Sequence, residues 1–167
     1  MKTLAPLAII FLLTSTLFSC SPEDDGIFFN ETSEVVNVAK VSYSSIETEI
    51  LNLVNDHRKS IGLTNLKTLT IISGVADVHT DYMIENGAVS HDNFSKRSQT
   101  LMDQTDAITV GENVAYGYSS AKGVVNGWLN SSSHRKVIEN PNYTHFGIST
   151  EGNTDNRNYF TQIFIKK

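Results

Sequence analysis

The sequence predicts an α+β domain, with helices first and strands last. Apolar residues recur at steps of three and four from Ile46 to Ile61, from Leu69 to Met83 and from Val124 to Leu129, the period of amphipathic helices. Near the end come two short runs, Thr144 to Thr150 and Tyr159 to Ile165, where β-branched and aromatic residues mix alternation with a buried stretch, a strand pattern. Between them, Glu151 to Asn158 is polar and carries Gly152, as a hairpin loop does.

Two segments of different character precede this domain. Lys2 and the apolar run from Leu4 to Phe18, about fifteen residues, have the length of a secretory signal, whereas a membrane span needs roughly 20. The run closes on Leu17-Phe18-Ser19-Cys20. That resembles a bacterial lipobox, with residues 1–19 removed and Cys20 lipidated as the new N-terminus; Phe18 is bulkier than the pattern usually has. An ordinary signal peptide with an incidental cysteine is the competing reading. Cys20 is the only cysteine, so no intrachain disulfide can form. Residues 20–43 open on the acidic, turn-rich Ser21-Pro22-Glu23-Asp24-Asp25-Gly26 and show no clear period, which predicts a solvated tether. Acidic residues directly after a lipidated cysteine also resemble surface-export signals of some Gram-negative lipoproteins. The expected location is therefore the cell envelope, on the outer membrane or the cell surface, with the membrane as a partner through the lipid on Cys20. Cleavage after Ser19 leaves 148 residues with 12 basic and 18 acidic side chains, a net charge of −6. The length suits one domain, residues 44–167, with a substantial core. The charge leaves no basic stripe and argues against a nucleic-acid partner.

The domain opens on Ser44-Ser45-Ile46-Glu47, which fits a capping box, the serine hydroxyl and glutamate carboxylate each satisfying a free backbone N–H. Ile46, Ile50, Leu53, Val54, His57 and Ile61 form the expected inner face of this first helix, and Gly62 closes it. Leu63 and Leu66 follow in a turn that packs back on the core. A second helix is expected from about Thr68 to Asn86, stopped by Gly87, with Leu69, Ile72, Ala76, His79 and Met83 on one face. His79 thus points inward and reads as a core histidine with a hydrogen-bond partner, since an unpaired buried donor costs roughly 1–3 kcal/mol. His91 lies past the glycine stop, and no apolar period explains it; it is a candidate functional residue. Asp92 to Thr109 is polar, with one helical hint at Ser98 to Met102, and is expected to line or cover a site as a loop. Gly111 permits a tight or left-handed turn that aims Glu112 into a cavity. Between Val110 and Val114, that carboxylate needs a partner: a group of the site, a backbone turn or an arginine. Ser119 or Ser120 caps a third helix bearing Val124, Val125, Trp128 and Leu129. His134-Arg135 then begin a short helical turn carrying Val137 and Ile138, stopped by Asn140-Pro141-Asn142.

Taken together, ordered motifs from Ile46 to Phe164 resemble the bacterial branch of the CAP superfamily (cysteine-rich secretory proteins, antigen 5 and pathogenesis-related proteins). They are Leu53-Val54-Asn55-Asp56-His57-Arg58, then Ile72, Ala76, His79, Met83 and Ser90-His91, then Gly111-Glu112-Asn113-Val114-Ala115. Gly127-Trp128-Leu129-Asn130-Ser131, His134-Arg135, Asn140-Pro141, Phe146-Gly147-Ile148 and Tyr159-Phe160-Thr161-Gln162 complete the series. The resemblance implies a three-layer α-β-α sandwich with a central antiparallel sheet and a cleft. Family members often place two histidines and two acidic residues in that cleft, sometimes with zinc or another divalent ion. His91 and Glu112 match the first histidine and first acid; the second acid falls near Ser131 and the second histidine at Tyr159, so half the tetrad is missing. A Ser-Pro-Gly-His-Arg type motif of the bacterial branch is represented by Ser131-Ser132-Ser133-His134-Arg135.

Two chemistries remain open for this set. His91, Glu112 and His134 are the residue types of a three-ligand zinc site, and they are equally able to form a metal-free hydrogen-bonded network; the latter, or weak metal binding, is favoured. Nucleophilic catalysis would need a hydroxyl or thiol beside a histidine. Only the serines at 131–133 stand near one in sequence, and neither Gly-x-Ser-x-Gly nor His-Glu-x-x-His occurs. The expected function is a membrane-tethered binding module whose cleft, with His91, Glu112, Asn113, His134 and Tyr159, takes a lipid, a small molecule or an envelope partner. A metal-assisted hydrolase acting on peptide or envelope substrates, with His91, Glu112 and His134 as its catalytic candidates, is the alternative.

Overall fold

The computed structural model describes residues 42–167; the expected signal peptide, Cys20 and nearly all of the tether lie outside the described residues. Tyr43, placed by the sequence at the end of the tether, already packs on the core, and its hydroxyl hydrogen-bonds the Ser73 hydroxyl at 2.9 Å. Ser44 caps α1 (Ser45–Ser60). Its side chain accepts from the Glu47 N–H, and the Glu47 carboxylate accepts from the Ser44 N–H at 2.8 Å, the reciprocal arrangement expected. The buried face of α1 is rotated from the expected one: it is Glu47, Ile50, Leu51, Val54 and Arg58, while Ile61 is 47% exposed beyond the helix end. Arg58 is buried because carbonyls surround it. Its guanidinium donates to Thr64 O at 3.0 Å, Ile138 O at 2.6 Å and Asn140 O at 3.0 Å.

A two-residue strand, β1 (Lys67–Thr68), precedes α2 (Thr70–Asn86). Gly87 ends α2 at φ 65°, the left-handed cap that glycine adopts without strain. Next, α3 (Phe94–Thr105) occupies most of the stretch expected as a loop. Its inner face is Arg97, Leu101 and Thr105, a four-residue period with only one apolar member. β2 (Thr109–Tyr116) replaces the expected turn. Gly111 sits inside this strand opposite Phe164, and a side chain there would collide with the Tyr143 hydroxyl. The glycine is there for close approach and not for a bend. α4 (Ala121–Asn130) is capped by Ser120, and α5 (Ser132–Ile138) follows; β3 (His145–Gly152) and β4 (Asn158–Lys166) form the expected hairpin.

The sheet order is β1-β3-β4-β2. β2 and β3 both run antiparallel to β4, whereas β1 runs parallel to β3, so the sheet is mixed and not wholly antiparallel. Side chains alternate between faces along each strand. On one face, Ile163 and Ile165 pack with Ile72, Val75 and Ala76 of α2 and Leu101 of α3, and Val114 and Tyr159 pack with Met83. On the other, Phe146, Ile148, Phe160 and Phe164 pack with Ile50 and Val54 of α1, Val124, Val125 and Trp128 of α4, and Ile138 of α5. This is the α-β-α sandwich. Gly147 sets the spacing of one interface, since a Cβ there would lie 2.6 Å from both the backbone N and the Oγ of Ser73 on α2. Among the described residues no helix is long and apolar enough to cross a membrane.

Candidate functional site

Glu112 lies on the edge strand β2, with its side chain on the face covered by α2 and α3. Only 1% of that side chain is exposed, a placement that demands compensation for the lost hydration of a carboxylate. Arg97 on α3 supplies it as a two-point fork: Nε donates to Oε2 and Nη2 to Oε1, each at 2.8 Å. Such bidentate pairs fix orientation as well as charge. His91 completes the group, with Nδ1 donating to Oε1 at 2.8 Å. Of the alternatives posed for Glu112, the structure supplies the arginine partner, Arg97. Since a carboxylate only accepts, the bond fixes the His91 tautomer and leaves Nε2 for outside partners. The His91 side chain is 53% exposed. The result is an imidazole held at its base and open at its tip.

The segment carrying His91 is pinned on both sides. His79, buried on α2, donates from Nε2 to the Ser90 carbonyl at 2.8 Å, and its ring stacks on Tyr82 with centroids 5.8 Å apart. This is the satisfied core histidine that the apolar period predicted. Burial lowers its pKa, partly opposed by the bond to Ser90. The Tyr82 hydroxyl donates to the Asp92 carboxylate at 3.2 Å, and Arg97 Nη1 donates to the Asp92 carbonyl. Arg97 therefore holds both Glu112 and the turn that presents His91. Sequence reasoning missed it. The signal was its four-residue spacing with Leu101 and Thr105, masked because a buried arginine does not score as apolar.

His134 approaches from the other side of the same strand. Asn113, next to Glu112, projects to the opposite face of the sheet, and its Nδ2 donates to the His134 carbonyl at 3.2 Å. The far end of α5 is tied to α1 by the Arg58 bonds and by His57 Nε2 and Glu139 Oε1 at 2.9 Å. Burial lowers the pKa of His134, and the charge of His91 lowers it further. The structure thus joins His91 directly to Glu112, while His134 is linked to the same strand through its carbonyl, which accepts from Asn113 within the core.

Tyr159, expected in the cleft, is not part of this group. It lies opposite Tyr116, four residues along β2 from Glu112, or about 13 Å at the usual strand rise. It packs on Tyr116 with ring centroids 4.5 Å apart, and on Met83 and Val114. No serine hydroxyl is hydrogen-bonded to His134 among the described residues; Ser131 and Ser133 bond each other at 3.0 Å.

A family model described as CAP, the cysteine-rich secretory protein family, matches residues 51–164. The chain belongs to the CAP family. Two Bacillus subtilis relatives are similar to this CAP chain: the uncharacterized membrane protein YlbC, 39% identical over 126 residues, and the uncharacterized protein YkwD, 32% identical over 140. These alignments cover 72% and 82% of the chain but only 34% and 53% of the relatives, so the CAP chain spans about a third of one and about half of the other. Among solved structures, it resembles an outer surface protein of Borrelia burgdorferi, with a TM-score of 0.65 and 25% identity over 72% of this chain and 91% of that one. It also resembles an extracellular protein containing an SCP domain from Bacillus anthracis, with a TM-score of 0.62 and 31% identity over 72% of this chain and 40% of that one.

The divalent metal implied by the family resemblance does not fit this CAP domain. Both Glu112 oxygens are engaged by Arg97, and Oε1 also by the His91 nitrogen that faces it. His79 Nε2 is 4.0 Å from Oε1 and spends its proton on Ser90. Among the described residues no group of three or more histidine, cysteine, aspartate or glutamate side chains is placed to hold an ion. The cation beside Glu112 is a guanidinium, and the expected metal set of His91, Glu112 and His134 would require Glu112 to leave that pair.

Proposed function

We propose that the chain is a membrane-tethered, extracytoplasmic CAP-domain lipoprotein that binds a ligand at the cleft between His91 and His134. The observation that carries this reading is the His91 imidazole. It is locked from behind by Glu112 and Arg97 and half-open in front, which is a preorganised hydrogen-bonding tip and not a mobile surface residue. In this reading His134, whose backbone is held to β2 through Asn113, supplies a second imidazole, and the ligand is of a kind that meets both: a lipid headgroup, a polar small molecule or an envelope component. The tether reading rests on Leu17-Phe18-Ser19-Cys20 and the acidic segment after it, with cleavage after residue 19, a tether over 20–43 and placement at the outer membrane or cell surface. It accords with relatives named as a membrane protein, an outer surface protein and an extracellular protein.

Binding is tested by following the His91 and His134 ring resonances by NMR while titrating phosphocholine, a short phospholipid and a soluble peptidoglycan fragment. A ligand should move both rings together, and the response should vanish in His91→Ala. Steady cleavage of an envelope peptide, lost in the same variant, would replace this reading with a hydrolase in which Nε2 of His91 acts as general base. That second reading draws on the same Nδ1–carboxylate bond and needs no metal. For the anchor, Cys20→Ala should release the protein from membranes; continued membrane association would overturn the lipoprotein reading.

A further inference from the structure

Besides Thr150 Oγ1 on β3, three side-chain atoms of two residues on β2 and β4 have no hydrogen-bond partner among the described residues: Asn113 Oδ1, Gln162 Nε2 and Gln162 Oε1. Both residues are fully buried and directly opposite each other in the β2–β4 ladder. Opposed residues of an antiparallel pair hold their Cβ atoms about 4.5–5.5 Å apart on the same face, so the two carboxamides share one space. The direction of the first is fixed. Asn113 Nδ2 donates to the His134 carbonyl, which turns Oδ1 away from that bond. Apart from Asn113, with which it makes no hydrogen bond, Gln162 has apolar neighbours on this face: Phe160 and Phe164 on its own strand, and Ile148 opposite it on β3. Buried polar atoms are nearly always paired, with protein or with ordered water, because leaving them bare forfeits their hydration for nothing.

We propose an internal hydration site between Asn113 and Gln162. One water donates to Asn113 Oδ1 and accepts from Gln162 Nε2; a second donates to Gln162 Oε1 and bonds the first. This satisfies all three orphaned atoms, and each water gains the two or more polar partners that a buried water needs. The waters connect β4, through Asn113, to the carbonyl of His134. They form the inner support of that wall of the cleft, independently of whether any ligand binds outside.

Water-to-protein cross-relaxation NMR on the wild-type protein reads the site directly. The Gln162 side-chain amide protons should show cross-peaks to long-lived water with the sign expected for a rigidly held molecule. The near-isosteric Gln162→Met reads it a second way. If water bridges the amides, methionine strips the water of a partner and leaves Asn113 Oδ1 poorly satisfied, and the melting temperature falls by roughly 3–6 °C. If the amides are dry, methionine removes two bare polar atoms, and the melting temperature holds or rises. Absence of the cross-peaks, or an unchanged or raised melting temperature in Gln162→Met, overturns the proposal; should that variant fail to fold, the wild-type cross-peaks alone decide.

Discussion

Arg97→Met asks how much of the domain's stability runs through the buried carboxylate. The substitution keeps most of the side-chain volume and removes the fork on Glu112 and the bond to the Asp92 carbonyl. The two side chains are 8% and 1% exposed, so water cannot replace the lost partner without opening the sheet edge. Removing one member of a buried pair costs about 3–5 kcal/mol. His91 still donates to Oε1 and offsets about 1 kcal/mol of that, which leaves an expected loss of about 3 kcal/mol. With a urea dependence of about 1.5–2 kcal/mol per molar, the unfolding midpoint should fall by roughly 1.5–2 M at unchanged slope. Glu112→Leu and the double variant close the cycle. The double should be more stable than the sum of the singles predicts by about 2–3 kcal/mol, because it leaves no charge stranded. Arg97→Lys should fall between, since it keeps the charge and loses the planar fork. A loss under 1 kcal/mol for Arg97→Met, or strict additivity in the cycle, would refute the view that Arg97 is the resident cation of the site.

Gly147→Ala should destabilise the domain by about 3 kcal/mol, measured by thermal unfolding, because the added methyl meets the rigid backbone of α2 at Ser73; a change within 0.5 kcal/mol, about the noise of a surface substitution, would show α2 free to retreat. The pH dependence follows from His79, His134 and His145, whose pKa values lie below 6.5, each chiefly through burial. As pH falls through about 6.5 the unfolded chain takes up protons before the folded one, so stability should be level above that value and decline below it until the lowered folded values are passed. Urea midpoints between about pH 7.5 and 5.5 test this; His134→Asn should flatten the slope, and a midpoint that rises on acidification would contradict it.

The outer helices and the C-terminal hairpin were legible because their signals are local. A capping box, a glycine stop and an apolar period each need only a few neighbouring residues, and α1, α2, α4 and the β3–β4 hairpin formed where those signals stood. What stayed hidden depended on partners distant in sequence. α3 has one fully buried apolar residue, Leu101, and is held by Arg97, whose partner is 15 residues away. β2 reads as a turn because Gly111 invites one, and the glycine is explained by Tyr143 from beyond α5, with Val137 of α5 beside it. At the site, His91 and Glu112 stood out as polar residues lacking a structural reason. His134 and Tyr159 entered through resemblance to family motifs; the structure ties the His134 carbonyl to Asn113 and packs Tyr159 on Tyr116. Arg58 carries the same lesson as Arg97: a cation answered by carbonyls leaves no mark in a hydropathy pattern.

Glu112 and Asn113 are consecutive residues that serve opposite walls, one gripped by α3 and the other reaching to α5. The span between the walls is thus a single peptide unit, a ruler that cannot be lengthened by drift. Inserting one residue on either side would exchange the two side chains between layers, sending the carboxylate toward α5 and the amide toward the arginine. Change at this site is therefore confined to substitution on β2 or to the segments that deliver His91 and His134, which can lengthen or shorten while the gauge between them stays constant. New ligand preferences in such a domain would arise from those two segments, with the strand as their common standard.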